Sequence, residues 1–564
     1  MEREHQLLGV YITKSANRIS SARLIYLDGA AAQSDFPLSN ADTFQPGKKI
    51  EILAGPTNDP VSLFKGIVVK QSLKVRDSSA PQLLVECRHK AVKLTVGRRK
   101  GYFFDKTDAD IIGELLDAAG ITADVESMSV THKQQVQYAC TDWDFLLTRA
   151  EANGRLVFTN DDAVAVRAPA FGGSPVCTLL FGATILEMDA EIDARGQYSA
   201  VKSSTWDPAQ QSLQQKDAVD PGVSGPGNLE SGDLADVVAL DHLPLDHPAI
   251  TEEEAQAWAD AEWLRSKMSK VSGRVKCEGI GTVNPGDIVG LSGAGDRFNG
   301  NVFVTGVRQN FDLVQGWKTH IQFGSVAHRL AEDPTVSAPR ASALLPGVSG
   351  LQIGVVVSNE DPDGEHRVRV RMPLVSPDAD GTWARVAALD AGDNRGFFFR
   401  PEIGDEVVLG FLNDDPRQAV ILGMLNSSAK PAPLAGSDDN NEKVYQSRAG
   451  MKLYFNDDTK VIRLETPAGN KVTLSEDEKT ISLIDQNGNK IEMTEDGITI
   501  ESSKAINLKS GTELIVKGGT ELTLESGTAL SVKGGSDLKL EGSSGAEVSS
   551  SGVTKVKGSL VQLN

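Results

Sequence analysis

The chain has 564 residues, of which 40% are hydrophobic and 24% are charged, and its formal net charge is −20. This length is enough for several domains with packed cores. The acidic charge argues against binding to nucleic acid or to anionic membranes, which attract basic surfaces. The opening segment, MEREHQLLGVYITKS, lacks the apolar core of a signal peptide, and no stretch approaches the ~18 consecutive apolar residues that indicate a membrane-spanning helix.

Residues 1–205 combine short β-type runs with two predicted helices. The first covers 107–120, where Thr107 is a suitable N-cap, acidic residues fill the first turn and Gly120 is suited to the helix end. Residues 141–154 repeat this arrangement, so we predict a second helix there.

The composition changes between 207 and 248, where the chain is rich in Gln, Asp, Gly and Pro. Such a segment buries little, and it predicts a polar excursion on the surface. A helix beginning at Thr251 follows, with Glu254 placed to complete a capping box in its first turn. Strands are predicted again over 272–323, interrupted by a turn at 284–287.

A linker rich in Pro, Ala and Ser covers 331–346 and precedes a compact β-rich unit at 351–424. The predicted turns of that unit are Asp361-Pro-Asp-Gly364 and Asn413-Asp-Asp-Pro416. A second linker covers 427–441, and short strands and turns are predicted from there to the last residue.

An eight-residue repeat covers 505–560, and its first four units follow the pattern x-φ-x-φ-x-x-Gly-x, where φ is an apolar residue. This period predicts one short strand and one tight turn per unit, with the recurring glycine supplying a positive φ angle in the turn. The recurring glycines are Gly511, Gly519, Gly527 and Gly535. The predicted core residues are Ile506, Leu508, Leu514, Val516, Leu522, Leu524, Leu530, Val532, Leu538 and Leu540.

Each of these strands offers only two apolar side chains, so a lone chain cannot shield them from water. We expect several identical chains to wind together with the apolar positions along the axis, which also removes free strand edges. The alternative is a low-complexity tail rich in Gly, Ser and Lys. Against it, the apolar pairs keep their phase through five consecutive units.

The segment 354–423 carries a resemblance to a known family. Gly354-Val-Val-Val, Arg367-Val-Arg-Val-Arg-Met-Pro373 and the run from Gly396 to Phe411 resemble the OB-fold module of VgrG and phage spike proteins, the central spikes of bacterial contractile injection systems. The repeats that follow are similar to the triple-stranded β-helix of the same family. Three earlier segments resemble its hub region more loosely: 63–68, 85–92 and 141–145.

The resemblance implies a mainly β protein with a few helices, built from barrel-like hub domains, an OB-fold neck and a C-terminal triple-stranded intertwined β-helix, and assembled as a homotrimer. The implied division of the chain is a hub region at 1–340, a linker at 341–350, a neck at 351–426, a second linker at 427–441 and a needle at 442–564.

The resemblance also implies the function. The hub of such a spike contacts inner tube and baseplate proteins, and sheath contraction drives the spike through a target envelope. A PAAR-repeat protein caps the tip, and effectors travel as cargo. We expect assembly in the bacterial cytoplasm without a signal peptide, followed by incorporation into a type VI apparatus or an extracellular phage-tail-like particle. No enzymatic domain follows the needle, so we expect no enzymatic activity. The sequence contains no nucleotide-binding motif, so we expect no cofactor, and its acidic charge leads us to expect no nucleic-acid partner.

The end of the chain suggests where a cap docks. Leu560, Val561 and Leu563 form an apolar cluster at the end of a shaft whose other outward residues are polar. Together with Gln562 and Asn564, they form the predicted docking site for the tip protein.

Two other functions stay open. A hydrolase site would lie in 155–250, where the fold assignment is weakest. A glycan-binding tailspike or adhesin is the other candidate, although the octads contain no aromatic residue of the kind that glycan grooves display. We predict no catalytic or metal site: His242 and His247 lack the i, i+4 spacing of a helical ligand pair, and Asp485–Asn489 is more typical of a hairpin turn than of a calcium loop.

Overall fold

The computed structural model of the protein describes residues 5–325 and 329–563. The chain divides into two compact units, Met1–Met424 and Leu425–Asn564. The α-helices of the first unit are α1 (Pro37–Asn40), α2 (Asp108–Ala118), α3 (Asp142–Ala152), α4 (Ser231–Val238) and α5 (Glu252–Met268). Its strands up to residue 323 are β1 (Leu7–Ser15), β2 (Ser21–Leu27), β3 (Lys49–Ala54), β4 (Val61–Arg76), β5 (Ser79–Arg88), β6 (Arg99–Thr107), β7 (Thr122–Val125), β8 (Thr131–Cys140), β9 (Leu156–Asn160), β10 (Ala163–Arg167), β11 (Cys177–Leu180), β12 (Ile185–Ile192), β13 (Val201–Asp207), β14 (Ser212–Asp217), β15 (Leu243–His247), β16 (Val271–Glu278), β17 (Ile288–Ser292), β18 (Gly300–Asp312) and β19 (Gly316–Phe323).

One large sheet organises the first unit, with the strand order β12-β16-β19-β18-β1-β2-β5-β4-β3. Strand β17 pairs with β18 and with β11 beside this path. Two separate apolar cores belong to the two halves of the sheet, one around Ile12 and Phe64 and the other around Ile321 and Phe323. The large sheet therefore serves two subdomains.

A third core forms where α2 and α3 pack with the small sheet β7-β10-β9. The Thr107 hydroxyl accepts a hydrogen bond from the backbone N–H of Asp110, and the Asp110 carboxylate accepts one from the Thr107 N–H. The Thr141 hydroxyl likewise accepts from the Asp144 N–H at 3.0 Å. Both helices predicted from their caps are confirmed.

The first turn of α5 differs from the prediction. The Thr251 hydroxyl caps it by accepting from the Glu254 N–H, but the Glu254 carboxylate lies 3.6 Å from Arg149 and 3.9 Å from His132. Both of those side chains hydrogen-bond the buried Asp108. Burial alone would raise the pKa of Asp108, but these hydrogen bonds outweigh it and lower the pKa to about 2. Glu254 thus helps to balance a buried charge cluster that links three helices.

The segment 207–248 is more ordered than its polar composition predicts. It contains β14, α4 and β15, and β13 lies between β14 and β15 in a three-stranded sheet. The buried residues of this segment are few: Leu234, Ala235 and Leu245. A sheet that buries so few side chains leaves little apolar signal in the sequence, which is why composition indicated a surface excursion.

A closed barrel follows, with the strand order β20 (Gln352–Ser358), β21 (Val368–Arg371), β22 (Thr382–Val386), β26 (Ala419–Met424) and β25 (Glu406–Phe411). Val368, Val407, Leu409 and Ile421 fill its centre and are fully buried. A five-stranded closed barrel is the OB-fold architecture that the family resemblance implied. Two further short strands of this region, β23 (Ala391–Gly392) and β24 (Arg395–Gly396), pair with each other.

The second unit contains a seven-stranded antiparallel meander whose strands pair in chain order. No strand is assigned in the described residues after 501. None of the helices in the described parts of the chain is long and apolar enough to cross a membrane. The strands are β27 (Glu442–Gln446), β28 (Lys452–Asn456), β29 (Val461–Glu465), β30 (Lys471–Ser475), β31 (Thr480–Ile484), β32 (Lys490–Thr494) and β33 (Gly497–Glu501).

Candidate functional site

Two rows of apolar side chains cross one face of the seven-stranded meander. In the strand register, Leu464 lies opposite Val472, and Leu483 lies opposite Ile491, and the same pairing continues across every strand boundary. The first row contains Tyr445, Leu453, Leu464, Val472, Leu483, Ile491 and Ile500. The second row contains Phe455, Ile462, Leu474, Ile481, Met493 and Ile498 and ends at Lys443.

An ordinary half-buried sheet covers its apolar face and exposes its polar face, and in this sheet the exposures of the two faces are reversed. Most of the apolar rows are exposed, with Leu464 50% and Ile498 68% accessible, whereas Ser475 and Ser482 on the polar face are buried. The apolar face has no covering layer within its own unit. Apolar faces of this size are not left in water by stable proteins, so the unit is incomplete as a single chain.

The opposite face carries charged side chains that compensate one another. Lys490 lies 2.6 Å from Glu492, and Glu465 lies 3.4 Å from Arg463, whose guanidinium stands over the Tyr454 ring at 4.7 Å. Along each strand, charged residues that are paired with opposite charges alternate with apolar residues. This alternation gives the sheet one polar face, which turns towards water, and one apolar face.

The turns of the meander account for the acidic motif at 485–489. The Asp485 carboxylate accepts hydrogen bonds from the backbone N–H groups of Asn487 and Asn489, and Gly488 has a φ of 84°. Hydrogen bonding by Asn489 lowers the pKa of Asp485 to about 2. This is the predicted hairpin turn. No group of three or more potential metal ligands occurs within the described residues.

The repeat region continues the apolar surface. All ten predicted core residues, from Ile506 to Leu540, are between 51% and 80% exposed. Fully burying a Leu, Ile or Val side chain contributes about 1.5–3 kcal/mol, so covering ten half-exposed ones would contribute on the order of 10 kcal/mol per chain. The single chain leaves this stabilisation unrealised.

The repeat turns work differently from the prediction. Among the described residues 505–563, no glycine has a positive φ. A Cβ atom would meet nothing at Gly519, but at Gly518 it would lie 2.2 Å from the Glu521 carbonyl oxygen, and the same contact recurs at Gly534. In the turns at 518–519 and 534–535, glycine therefore allows close backbone approach at the first position, and none of Gly511, Gly519, Gly527 and Gly535 is needed for a positive φ angle.

Serine replaces glycine at that first position in alternate turns. The Ser510 hydroxyl donates to the Glu513 carbonyl oxygen at 2.6 Å, and the Ser526 hydroxyl donates to the Ala529 carbonyl at 2.8 Å. The turns thus alternate between a side-chain hydrogen bond and a tight glycine contact, a sixteen-residue pattern that underlies the octad.

The predicted docking residues lie at the end of the second unit. Leu560 is 77%, Val561 48% and Leu563 92% exposed, and Gln562 is exposed as well. Asn564 lies outside the described residues. The apolar rows at 445–500 were not predicted from the sequence, although alternation such as Ile462-Arg-Leu464 is the signal that could have revealed them.

Family models match three parts of the chain. Residues 1–312 match the Alg8 N-terminal domain, residues 352–425 match the type VI secretion system/phage-baseplate injector OB domain, and residues 461–559 match the phage baseplate V C-terminal trimerisation domain. The third match covers most of the apolar meander and the repeats.

Individual proteins resemble this chain either over a short segment or over a longer one with low sequence identity. The type VI secretion system spike protein VgrG3 of Vibrio cholerae is 30% identical over 123 residues, which are 20% of this chain and only 12% of VgrG3. A tail protein from Neisseria meningitidis has 15% identity and a TM-score of 0.42, covering 58% of this chain and 94% of that protein. An Escherichia coli component of the type VI secretion system has 12% identity and a TM-score of 0.36, covering 75% and 98% of the two chains.

Proposed function

We propose that three copies of this chain, a VgrG-like spike component of a type VI secretion or tail system, close the apolar rows and the octad positions into the core of a β-helical needle. Through residues 1–312 the chain belongs to the Alg8 N-terminal domain family. The observation that carries this proposal is the inverted burial at 442–501, with apolar side chains outside and polar ones inside. An identical partner supplies an identical apolar face, so threefold assembly buries all copies of the rows at once.

The three-chain arrangement is supported by the width of the apolar surface. Each octad presents two apolar side chains, too few to form a core with one neighbour along the chain. Three such faces around an axis enclose a narrow core and leave no free strand edge. The match of 461–559 to a trimerisation domain supports the same number.

We assign the remaining parts to the roles that a spike requires. In this proposal, residues 1–340 form the hub that contacts inner tube and baseplate proteins, and residues 351–426 form the neck, joined by linkers at 341–350 and 427–441. The needle at 442–564 pierces the target envelope when the sheath contracts. A shaft without free edges and with an interwoven core is suited to axial load.

The exposed end of the needle is the proposed dock for a PAAR-repeat cap. Three copies of Leu560, Val561 and Leu563 would form a small apolar platform with Gln562 and Asn564 at its rim. Effector cargo would travel on the cap, the spike or the tube. The net charge of −20 gives no basis for a nucleic-acid partner.

Electrophoresis in SDS without heating tests the interwoven needle. The proposal predicts a band of the unheated full-length protein that migrates as a trimer and is converted to a monomer by boiling. A truncated chain ending at residue 441, which lacks both the apolar rows and the octads, should run as a monomer in both samples. A monomer band for the unheated full-length protein would contradict the proposal.

A further inference from the structure

A buried lysine in the large sheet lacks the partner that a buried charge needs. Lys14 of β1 is only 9% exposed. Its Nζ donates a hydrogen bond to Oδ1 of Asn284 at 3.1 Å, and no carboxylate of the described residues lies within ion-pair distance of it. Buried lysines are usually paired with a carboxylate. Lys14 instead contacts an uncharged amide that lies 270 residues away along the chain.

The surroundings of Lys14 favour the neutral amine over the ammonium. Burial lowers the pKa of Lys14, and the opposing effect of the Asp161 carboxylate is smaller. In the strand register Lys14 lies opposite Val307, which belongs to the apolar core around Ile321. A neutral primary amine has a free electron pair and is a nucleophile, whereas an ammonium group is not.

Strand β18 holds both the amine and the amide in place. It pairs with β1 on both sides of Lys14, so the backbone there is fixed. The turn that carries Asn284 is tied to the same strand, because Val304 accepts a hydrogen bond from the Gly286 N–H at 2.8 Å and donates one to the Asp287 carbonyl at 2.9 Å. The Asp287 carboxylate also accepts from the Asn284 N–H at 2.8 Å. Two groups held together on rigid elements react far faster than free ones.

A neighbouring hairpin supplies a carboxylate to this pair. Asp161 directly follows β9, in the turn between β9 and β10. Strand β9 contacts both reacting segments, since the Val157 carbonyl accepts from the Asn17 N–H at 2.7 Å, and the Phe158 ring lies 3.4 Å from where a Cβ of Gly286 would be. Asp161 is exposed, and its charge acts on the buried amine. It is therefore placed to carry protons between this pair and water.

We propose that Lys14 and Asn284 react with each other and form an intramolecular isopeptide bond. A turn of the Asn284 amide about its Cβ–Cγ bond presents Cγ to the amine. Nζ of Lys14 attacks Cγ, so that a C–N bond forms and the bond from Cγ to Nδ2 breaks. One proton of the amine passes to Nδ2 through the Asp161 carboxylate, and ammonia leaves. The products are a secondary amide and ammonia, and no oxidant, reductant or cofactor takes part.

The isopeptide bond closes the first unit covalently. It joins β1 to the turn before β17 and so ties the start of the chain to a position 270 residues later. All four cysteines are free, and an amide bond, unlike a disulfide, is not broken by thiols. Such a bond prevents β1 from being pulled out of the sheet, which suits a part that works under load. The bond itself does not depend on the number of copies in the assembly.

Mass spectrometry of the purified full-length protein tests this modification. The mass of the denatured chain should be lower than that of its sequence by one ammonia molecule. Proteolysis should release a branched peptide that joins the segment of Lys14 to the segment of Asn284. The variants Lys14→Arg and Asn284→Ala should have the full masses of their own sequences and release no branched peptide. Asp161→Asn should lower the fraction of linked chains, because the proton carrier is lost.

Lys74→Arg is the matched control, because Lys74 is an exposed lysine of the same large sheet, and this variant should keep the branched peptide. A native chain of full mass without the branched peptide would overturn the proposal, whether or not the variants fold. Loss of ammonia in a different peptide would overturn it as well, because cyclisation of an asparagine that precedes glycine gives the same change in mass. An unchanged linked fraction in Asp161→Asn would overturn the role of Asp161.

Discussion

Ile491 and Ile500 lie directly opposite each other on the last two strands of the meander, and 38% and 55% of their surfaces are exposed. Thr499 lies between Ile498 and Ile500 on the last strand, and its side chain is on the other face of the sheet. Ile500 therefore belongs to the proposed needle core, and its neighbour Thr499 belongs to the outer wall.

Substitution of these neighbours separates the two faces. Ile500→Asp should destabilise the assembly, because three unpaired carboxylates would be buried in one apolar layer, at a cost of several kcal/mol. Thr499→Asp adds the same charge on the outer wall and should leave the stability of the assembly nearly unchanged. Thermal unfolding of both assembled variants measures the difference, and equal melting temperatures would argue against the assigned core face.

The glycine contacts in the repeats predict unequal effects of two adjacent substitutions. Gly518→Ala places a methyl group 2.2 Å from the Glu521 carbonyl oxygen, whereas Gly519→Ala meets open space. The first variant should lower the unfolding free energy by roughly 1–3 kcal/mol per chain, and the second should change it little. Thermal unfolding of the assembled protein gives the comparison. Equal melting temperatures for the two variants would mean that the turns relax at no cost.

The buried cluster around Asp108 predicts a strong effect in the first unit. Asp108→Asn removes the charge that balances Arg149, and loss of one partner of a buried ion pair costs about 3–5 kcal/mol. Asp110→Asn, on the exposed first turn of the same helix, removes a cap interaction of about 1 kcal/mol. Urea unfolding followed by fluorescence of the buried Trp143 should rank the variants in this order.

The Asp108 carboxylate also makes the unfolding free energy of the first unit sensitive to acid. The pKa of Asp108 in the folded chain is about 2, against about 3.9 when unfolded. Its stabilisation is therefore complete above about pH 4 and is lost as the pH falls towards 2. The unfolding free energy of the Asp108→Asn variant should change less over this interval than that of the native chain.

Sequence reasoning succeeded where one local pattern determines the structure. The Thr107 and Thr141 caps predicted two helices, the turn motifs at 361–364 and 413–416 predicted a β-rich unit, and the family resemblance of 354–423 implied the barrel. It failed where the deciding contact is distant in the chain: Glu254 faces Arg149 across 105 residues, and no local pattern shows this. The prediction of a positive φ angle at the repeat glycines was wrong for another reason. The spacing of glycines reveals a turn, but it does not show whether glycine is needed there for its φ angle or because a carbonyl oxygen lies too close for a side chain.

The exposed face at Tyr102 and Tyr138, on the paired strands β6 and β8, illustrates a further limit. Each of these strands alternates in sequence, but the pairing that brings the two tyrosines to one side joins segments more than thirty residues apart. An alternating strand also does not reveal which of its faces is covered. Only the packing of Phe103 on the core decides that the tyrosines point outwards.

The proposed cap dock predicts the effect of a short deletion. Removal of 558–564 should abolish binding of a purified PAAR-repeat protein, because Leu560, Val561 and Leu563 are lost. The trimer should persist, since the ten octad core residues end at Leu540. A pull-down with the truncated chain measures this, with the Thr499→Asp variant as the control that retains the end. Retained binding after the deletion would refute the apolar platform.

The mass of the purified chain in solution tests the central claim most directly. One chain has a mass of 60.2 kDa, and the account predicts a single native species of three times that mass that does not dissociate on dilution. A monomer of the intact chain would contradict the account, because the exposed rows at 445–500 and the octad side chains would then be covered in some way other than by identical partners.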